Sequence, residues 1–138
     1  MKVYLILSLV LLSLSCSTLE EDDLSQLNGY WEIEKVVFPN GEEKQYRMNA
    51  TIDYFKLDSL QGFRKKLAPR FDGNYETSDD AERFIILKKE TSFILAYKNN
   101  LSAWQEELIS LDDATFAIKN QEGILYHYKR HQSPTLNP

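Results

Sequence analysis

Short runs of strand-forming residues, separated by turn signals, begin at Gly29 and restrict the fold more than any other feature of the chain. The first run, 29–38, places Trp31 and Ile33 two residues apart, which is the spacing of a half-buried β-strand. The later runs are 44–50, 51–57, 70–78, 83–97, 103–111, 114–120 and 123–131. Because short connections join them, the pattern predicts an all-β fold, an antiparallel up-and-down barrel of eight or nine strands.

Turn-forming residues mark the ends of these runs. Pro39-Asn40-Gly41 contains the Asn-Gly pair, which supplies the positive φ angles of a tight hairpin. Lys89-Glu90, Asp112-Asp113 and Gln121-Glu122-Gly123 predict three further turns, and Gly73 predicts a bulge.

One segment departs from the strand pattern. Leu60, Phe63 and Leu67 recur at helical spacing, Asp58 or Ser59 can cap a helix there, and Pro69 can end it. We predict a short helix or an ordered loop over 60–67 that crosses one mouth of the barrel.

The first fifteen residues have the character of a secretory signal. Lys2 is their only charged side chain, and 3–14 contains neither a charge nor a helix breaker. At about 1.5 Å per residue, a helix of this length covers roughly 18 Å, well short of the ~30 Å hydrocarbon core of a bilayer. The segment 1–15 is therefore predicted to be a signal peptide and not a membrane span.

The only cysteine of the chain, Cys16, follows this segment directly. The preceding Leu-Ser-Leu-Ser resembles a bacterial lipobox, which implies a diacylglycerol on the Cys16 thiol, cleavage before it and acylation of the new amino terminus. The alternative is a plain secreted protein with an incidental cysteine. Lipidation would leave no thiol for a disulfide, a metal site or catalysis, and several acyl chains would anchor the protein stably in a membrane.

Four consecutive acidic residues, 20–23, follow the cysteine. Their mutual repulsion predicts an extended, lipidated acidic tether over 16–28. An acidic cluster so close to a lipidated cysteine also resembles the surface-export signal of Bacteroidota lipoproteins. Loss of Lys2 with the signal peptide would change the formal net charge from −5 to −6, and an acidic chain argues against nonspecific binding to nucleic acid.

The start and the end of the strand region carry a family resemblance. Gly29-Tyr30-Trp31 resembles the Gly-x-Trp signature of lipocalins, and Arg130 stands where that family places an arginine over the tryptophan. The chain most resembles the small lipocalin-like lipoproteins of Bacteroidota. This resemblance implies a barrel domain over 29–131, a flexible tail over 132–138, and an outer-membrane location on the periplasmic face or the cell surface. The barrel segment is short for a lipocalin, which argues against a wide calyx.

Two groups of side chains are candidates for binding. Six aromatic residues can share the inner face with Trp31, where they either line a small apolar pocket or simply fill the barrel. They are Tyr46, Phe93, Tyr97, Phe116, Tyr126 and Tyr128. The basic residues Arg64, Lys65, Lys66 and Arg70 form either a solvated face or a contact patch for anionic headgroups or an acidic partner.

The sequence offers little catalytic or metal-binding chemistry. His127 and His131 are four apart, but on a strand this spacing separates them by about 13 Å. Asp79-Asp80 and Asp112-Asp113 lie in predicted turns, where neighbouring side chains point apart. We found no phosphate loop, nucleophile elbow or Cys–His pair in the sequence, so we expect no enzymatic activity, no metal and no cofactor.

Two functions remain open at this level. The first is a lipid-anchored envelope lipoprotein whose barrel binds a small hydrophobic ligand. The second is a non-enzymatic accessory subunit that uses the barrel as a scaffold in an outer-membrane protein complex. An internal cavity would favour the first function, and a barrel filled by its own side chains would favour the second.

Overall fold

The computed structural model describes residues 18–77 and 80–132. The predicted signal peptide 1–15, the lipidation site Cys16 and all but the first residue of the predicted tail 132–138 lie outside the described residues. Within the described part, no helix has the length and the apolar character needed to cross a bilayer.

The described residues form one 3-10 helix and ten strands. The helix is Glu21–Leu27. The strands are β1 Gly29–Val37, β2 Glu43–Gln45, β3 Ile52–Asp58, β4 Gln61–Pro69, β5 Tyr75–Thr77, β6 Glu82–Lys88, β7 Phe93–Lys98, β8 Ala103–Leu111, β9 Thr115–Asn120 and β10 Leu125–Arg130.

Eight of these strands form a closed antiparallel barrel in the order β1, β3, β4, β6, β7, β8, β9 and β10. The barrel closes where β1 pairs with β10. The short strands β2 and β5 extend the sheet beside β1 and β4. The predicted all-β barrel is therefore confirmed, with two extra strands beyond the eight of the barrel wall.

The short helix or ordered loop predicted over 60–67 is wrong, because this segment forms most of β4. Alternation turns Gly62 and Arg64 towards the interior and Phe63 towards the outside, while β4 bonds to β3 and β6 on its two sides. Gly62 is required by close packing, since a Cβ atom there would overlap the carbonyl oxygen of Lys56. Cross-strand pairing therefore overrides the local helical spacing.

Gly73 forms a turn between β4 and β5 and not the predicted bulge. Its φ angle is +84°, and its amide donates to the carbonyl of Arg70 at 3.2 Å. The positive φ of Gly73 thus serves to reverse the chain, a conformation that glycine adopts readily because it has no Cβ atom.

The predicted extended tether over 16–28 is also wrong for residues 21–27, which form the 3-10 helix. Leu24 and Leu27 are only 2% and 0% exposed and belong to the hydrophobic core. The acidic side chains of Glu20, Glu21 and Asp22 remain exposed on the other side. Burial of two leucines therefore outweighs the repulsion between neighbouring carboxylates.

The 3-10 helix covers one end of the barrel, which we call the closed end. The β6–β7 and β8–β9 turns lie at the same end. The opposite end, which we call the open end, carries the β1–β2 turn and the loop 46–51. The helix thus covers the closed end, whereas a turn and a loop border the open end.

Candidate functional site

Trp31 and Arg130 face each other where β1 meets β10. The guanidinium carbon of Arg130 lies 3.8 Å from the centre of the Trp31 ring, and Trp31 is fully buried. The indole Nε1 of Trp31 donates a hydrogen bond to the carbonyl of Leu27 at 2.8 Å. The structure therefore brings together the tryptophan and the arginine that the sequence singles out.

Arg130 also holds the closed end together through its donors. Its Nη2 and Nη1 atoms donate to the carbonyls of Gln26 at 2.9 Å and Asn28 at 2.6 Å, and its Nε donates to the carbonyl of Asp113 at 3.0 Å. Burial lowers the pKa of this guanidinium, and the nearby charge of Asp113 opposes that shift. The contacts give Arg130 a structural role, since it fastens the 3-10 helix to the barrel.

Gly29 is the third residue of this arrangement. Its φ angle is +123°, and a Cβ atom at this position would lie 2.6 Å from Nη1 of Arg130. Both the backbone conformation and the close approach of the guanidinium therefore require glycine.

Four of the six predicted pocket aromatics lie inside the barrel and pack against one another. Phe116 stacks on Tyr128 with ring centres 4.4 Å apart and meets Trp31 edge-on at 4.6 Å. Phe93 and Tyr97 are also buried. Tyr46 and Tyr126 are only half-buried. The inner aromatics therefore fill the barrel as core and do not line a wide calyx.

The interior also contains charged side chains that the sequence pattern did not reveal. Arg64 is 8% exposed and pairs with Glu82 at 2.8 Å and with Glu106 at 3.3 Å. Its guanidinium carbon lies 4.8 Å from the centre of the Tyr97 ring. The inward position of Glu106 could have been predicted from the alternation of the sequence, because Glu106 falls on the inner face of β8 between Trp104 and Leu108.

The low polarity of the interior shifts the pKa values of these groups. Burial raises the pKa of Glu106, although the charge of Arg64 opposes this shift. Burial also raises the pKa of the Tyr97 hydroxyl. Burial would lower the pKa of Arg64, but the acidic groups around it outweigh burial and raise it, so the guanidinium stays charged. Among the described residues, neither Nε of Arg64 nor the hydroxyl of Tyr97 has a well-formed hydrogen bond.

The predicted basic contact patch does not form one surface. Arg64 points into the barrel, whereas Lys65 is on the outer face. Lys66 pairs with buried Asp53 at 3.1 Å, and exposed Arg70 pairs with Glu76 at 3.5 Å. Alternation along β4 separates neighbouring cations onto opposite faces of the sheet.

A pocket of about 270 Å³ lies at the open end, between the barrel and the loop 46–51. Its lining residues are Trp31, Ile33, Tyr46, Met48, Asn49, Ala50, Thr51, Asp53 and Lys66. We call it the mouth pocket. The amide of Asn49 donates to the carbonyl of Ile33 at 2.8 Å, which holds the loop against β1.

The polar part of the mouth pocket is the Asp53–Lys66 pair. Asp53 is 4% exposed, and it also accepts a hydrogen bond from the hydroxyl of Tyr128 at 3.0 Å. Burial raises the pKa of this hydroxyl, and the charge of Asp53 raises it further. Tyr128 therefore stays protonated and donates to Asp53, while Lys66, whose side chain is 54% exposed, can reach solvent or a bound molecule.

Comparisons with known proteins give matches to solved structures at low identity and no sequence relatives. No family model matches the chain, and no curated protein matches it. A lipocalin-like protein from Bacteroides uniformis is 9% identical, with a TM-score of 0.48 over 77% of this chain and 99% of that one. An uncharacterized protein from Bacteroides eggerthii is 11% identical, with a TM-score of 0.48 over 76% and 99%. Apocrustacyanin C1 is 12% identical, with a TM-score of 0.48 over 81% of this chain and 64% of its own.

The architecture is an eight-stranded antiparallel barrel that closes between β1 and β10, with Trp31 buried under Arg130 at one end. These are the features that the sequence resemblance to lipocalins implies. What this barrel binds has to be inferred from the side chains of this chain.

The described residues contain no group of three or more His, Cys, Asp or Glu side chains that could hold a metal ion. Nδ1 of His131 lies 2.9 Å from a carboxylate oxygen of Glu32, and His127 pairs with Ala117 along β10. Asp79, one of the predicted turn aspartates, lies outside the described residues. The carboxylate of Asp112 accepts hydrogen bonds from the backbone amides of Ala114 and Thr115 in its own turn.

Proposed function

We propose that this protein is a lipid-anchored lipoprotein of the cell envelope whose lipocalin-like barrel binds a small, largely hydrophobic ligand in the mouth pocket. The observation that carries the proposal is the composition of this pocket. Ile33 and Tyr46 provide apolar walls, and the Asp53–Lys66 pair lies beside them. Concave apolar surface with a few fixed polar groups is typical of small-molecule sites.

The size of the pocket restricts the ligand. Its volume of about 270 Å³ is near the lower end of the ~300–1,000 Å³ found for ligand pockets. Phe116, Tyr128 and Arg64 occupy the interior beyond it. The ligand we propose is therefore a single ring system or a short chain with one polar group that meets Asp53 or Lys66.

The proposed anchor orients this pocket relative to the membrane. Only Ser17 and Thr18 separate Cys16 from Leu19, and Leu19 packs against the hydrophobic core. Three residue steps span at most about 11 Å. With Cys16 lipidated, the closed end faces the bilayer and the mouth pocket faces away from it, so we expect the ligand to arrive from the aqueous side.

Binding at the mouth can be tested with 2-naphthol as a neutral probe, using its fluorescence. The protein is the chain from residue 16 with Cys16→Ser, purified without detergent. Ala50 is exposed and lines the pocket, so Ala50→Trp should fill the pocket and abolish binding. Ala114→Trp, a likewise exposed site in the β8–β9 turn at the closed end, is the matched control and should leave binding unchanged. Equal binding by both variants would contradict the mouth site.

The second candidate function is a scaffold in an outer-membrane protein complex. The filled interior favours it, because Trp31, Phe116 and Tyr128 pack the barrel as an ordinary core. A pull-down of the anchored protein from native membranes, with mass spectrometry of both proteins and small molecules, separates the two functions. Recovery of protein partners in stoichiometric amount without any bound small molecule would favour the scaffold.

A further inference from the structure

A groove of about 830 Å³ runs across the outer face of the barrel, away from the mouth pocket. Most of its lining side chains point outward from β3, β4, β6, β7 and β8, and inner-face residues of the same strands, among them Tyr97 and Trp104, also border it. We call it the wall groove. Its volume is within the range of sites for drug-sized ligands, about 300–1,000 Å³.

The floor of the wall groove is apolar. Ile85 lies beside Ala96 in the pairing of β6 with β7, and Phe63 lies nearby on β4. Ile85 is 52% exposed, although a large aliphatic side chain is normally placed in the interior. An apolar floor inside a concave surface with polar residues around it has the composition of a small-molecule site.

The rim of the wall groove is positively charged. Lys56, Arg83 and Lys98 line it together with a single acidic residue, Asp58. Among the described residues, none of these three cations has a carboxylate within ion-pair distance, which is also true of exposed cations elsewhere such as Lys88 and Lys119. What distinguishes the three is their position, because together they give one apolar floor a positively charged rim in a chain with a net charge of −5.

We infer that the wall groove binds a single amphipathic anion, a molecule with an apolar chain or ring system and one carboxylate, sulfate or phosphate group. The apolar part covers Phe63, Ile85 and Ala96, and the anionic group meets the cations of the rim. The molecule binds as a monomer from solution. The floor is recessed between the long side chains of Lys56, Arg83 and Lys98, so a single chain reaches it more easily than the flat surface of a bilayer.

The charge requirement can be tested with three probes that share one apolar chain. These are laurate, dodecanol and dodecyltrimethylammonium, each below its micelle concentration and added to the chain from residue 16 with Cys16→Ser. Binding is followed by calorimetry and by the fluorescence of Trp104, which borders the groove. We expect laurate to bind at least about tenfold more tightly than the cationic probe, with dodecanol between them. Equal affinity for all three would overturn the inference.

Variants locate the binding site on the barrel. Arg83→Gln with Lys98→Gln should weaken laurate about tenfold and change dodecanol little, whereas Ile85→Asn should weaken both probes. The matched control is Lys88→Gln with Lys119→Gln, two exposed cations that do not line the groove, and it should leave laurate binding unchanged. An equal loss in the control pair would overturn the wall groove as the site.

Two further measurements distinguish the wall groove from the mouth pocket and from a membrane contact. Ala50→Trp blocks the mouth pocket and should leave laurate binding intact, while Ala103→Trp narrows the wall groove and should reduce it. The opposite result would assign laurate to the mouth and overturn the inference. Binding to vesicles of anionic phospholipid without binding of monomeric laurate would identify a membrane contact instead, and would overturn it as well.

Discussion

Arg64 and Glu106 face each other inside the barrel at 3.3 Å, although 42 positions separate them in the chain. Glu82 contacts the other terminal nitrogen of the same guanidinium at 2.8 Å. A charged cluster of this kind costs desolvation energy, and the loss of one partner leaves the other charges buried without compensation. The interior of this barrel is therefore partly ionic, unlike a purely apolar core.

Replacing Arg64 with methionine should destabilise the protein by about 3–5 kcal/mol, because Glu106 and Glu82 would lose their buried cation. The double variant Arg64→Met/Glu106→Leu should recover a large part of this loss. Urea-induced unfolding measures the free energy in each case. Arg70→Met is the control, since the exposed Arg70–Glu76 pair should contribute less than about 1 kcal/mol. A similar loss of unfolding free energy in Arg64→Met and Arg70→Met would show that the interior cluster contributes no more stability than an exposed ion pair.

The stability contributed by Asp112 should decrease in acid. Its carboxylate accepts the backbone amides of Thr115 and Ala114 at 2.8 Å, and these bonds lower its pKa below the ordinary value of 3.8. A lowered carboxyl pKa stabilises the fold above the unfolded-state pKa, and this contribution is lost as pH falls through the folded-state pKa. The difference in unfolding free energy between wild type and Asp112→Asn should be constant near neutral pH and shrink below about pH 4. Parallel curves down to the acid transition would contradict this prediction.

Gly29→Ala should cost more stability than Gly41→Ala. Both glycines have positive φ angles, +123° and +88°, but only a Cβ atom at Gly29 would collide with Arg130, since nothing lies within 4 Å of one at Gly41. Each substitution should cost about 1–3 kcal/mol of backbone strain, with an additional cost at Gly29. In an Arg130→Ala background the difference should narrow. If Gly29→Ala still costs as much more stability than Gly41→Ala in the Arg130→Ala background, the additional cost at Gly29 comes from the backbone and not from a collision with Arg130.

Cys16→Ser should abolish lipid attachment, because Cys16 is the only thiol of the chain and stands at the end of the predicted signal peptide. The measurement is metabolic labelling with palmitate, followed by fractionation of membranes and soluble protein. Ser17→Ala is a suitable neighbouring control and should keep the label. Palmitate incorporation that survives in the Cys16→Ser protein would rule out this lipidation site.

The proposed orientation can be measured with single introduced thiols, because a lipidated Cys16 leaves no other thiol free. Lys89 lies in the β6–β7 turn at the closed end, and Glu42 lies in the β1–β2 turn at the open end. A dye on Lys89→Cys should be quenched by spin-labelled lipids in vesicles more strongly than a dye on Glu42→Cys. Stronger quenching at Glu42 would reverse the orientation and place the mouth pocket against the membrane.

Features that depend on neighbouring residues could be predicted from the sequence. Alternation in 29–38 and the Asn40-Gly41 turn are local, so the first strand and the turn after it were recognisable before any pairing was known. The contact between Trp31 and Arg130 was predicted differently, from the resemblance of Gly29-Tyr30-Trp31 and Arg130 to the corresponding residues of lipocalins.

Two segments show why local patterns fail where tertiary contacts decide. Leu60, Phe63 and Leu67 fit a helix by spacing, but hydrogen bonding of β4 to both neighbours is available only after the barrel has formed. The acidic residues around Leu24 led to the prediction of an extended tether. The burial of Leu24 and Leu27 could not be predicted locally, because the apolar surface that they cover is formed by the strands at the end of the barrel.

The sequence by itself determined the all-β class and the turns at Asn40-Gly41, Lys89-Glu90, Asp112-Asp113 and 121–123, because strand alternation and turn geometry are properties of adjacent residues. Only the tertiary structure decided which side chains meet. The register of β4 against β6 turns Arg64 inward to Glu82, and the pairing of β6, β7 and β8 gathers Arg83 and Lys98 around Ile85 on the outside. Register joins residues far apart in the chain, and a shift by one residue would exchange the inner and outer faces. The ionic interior and the wall groove are therefore properties of the closed barrel.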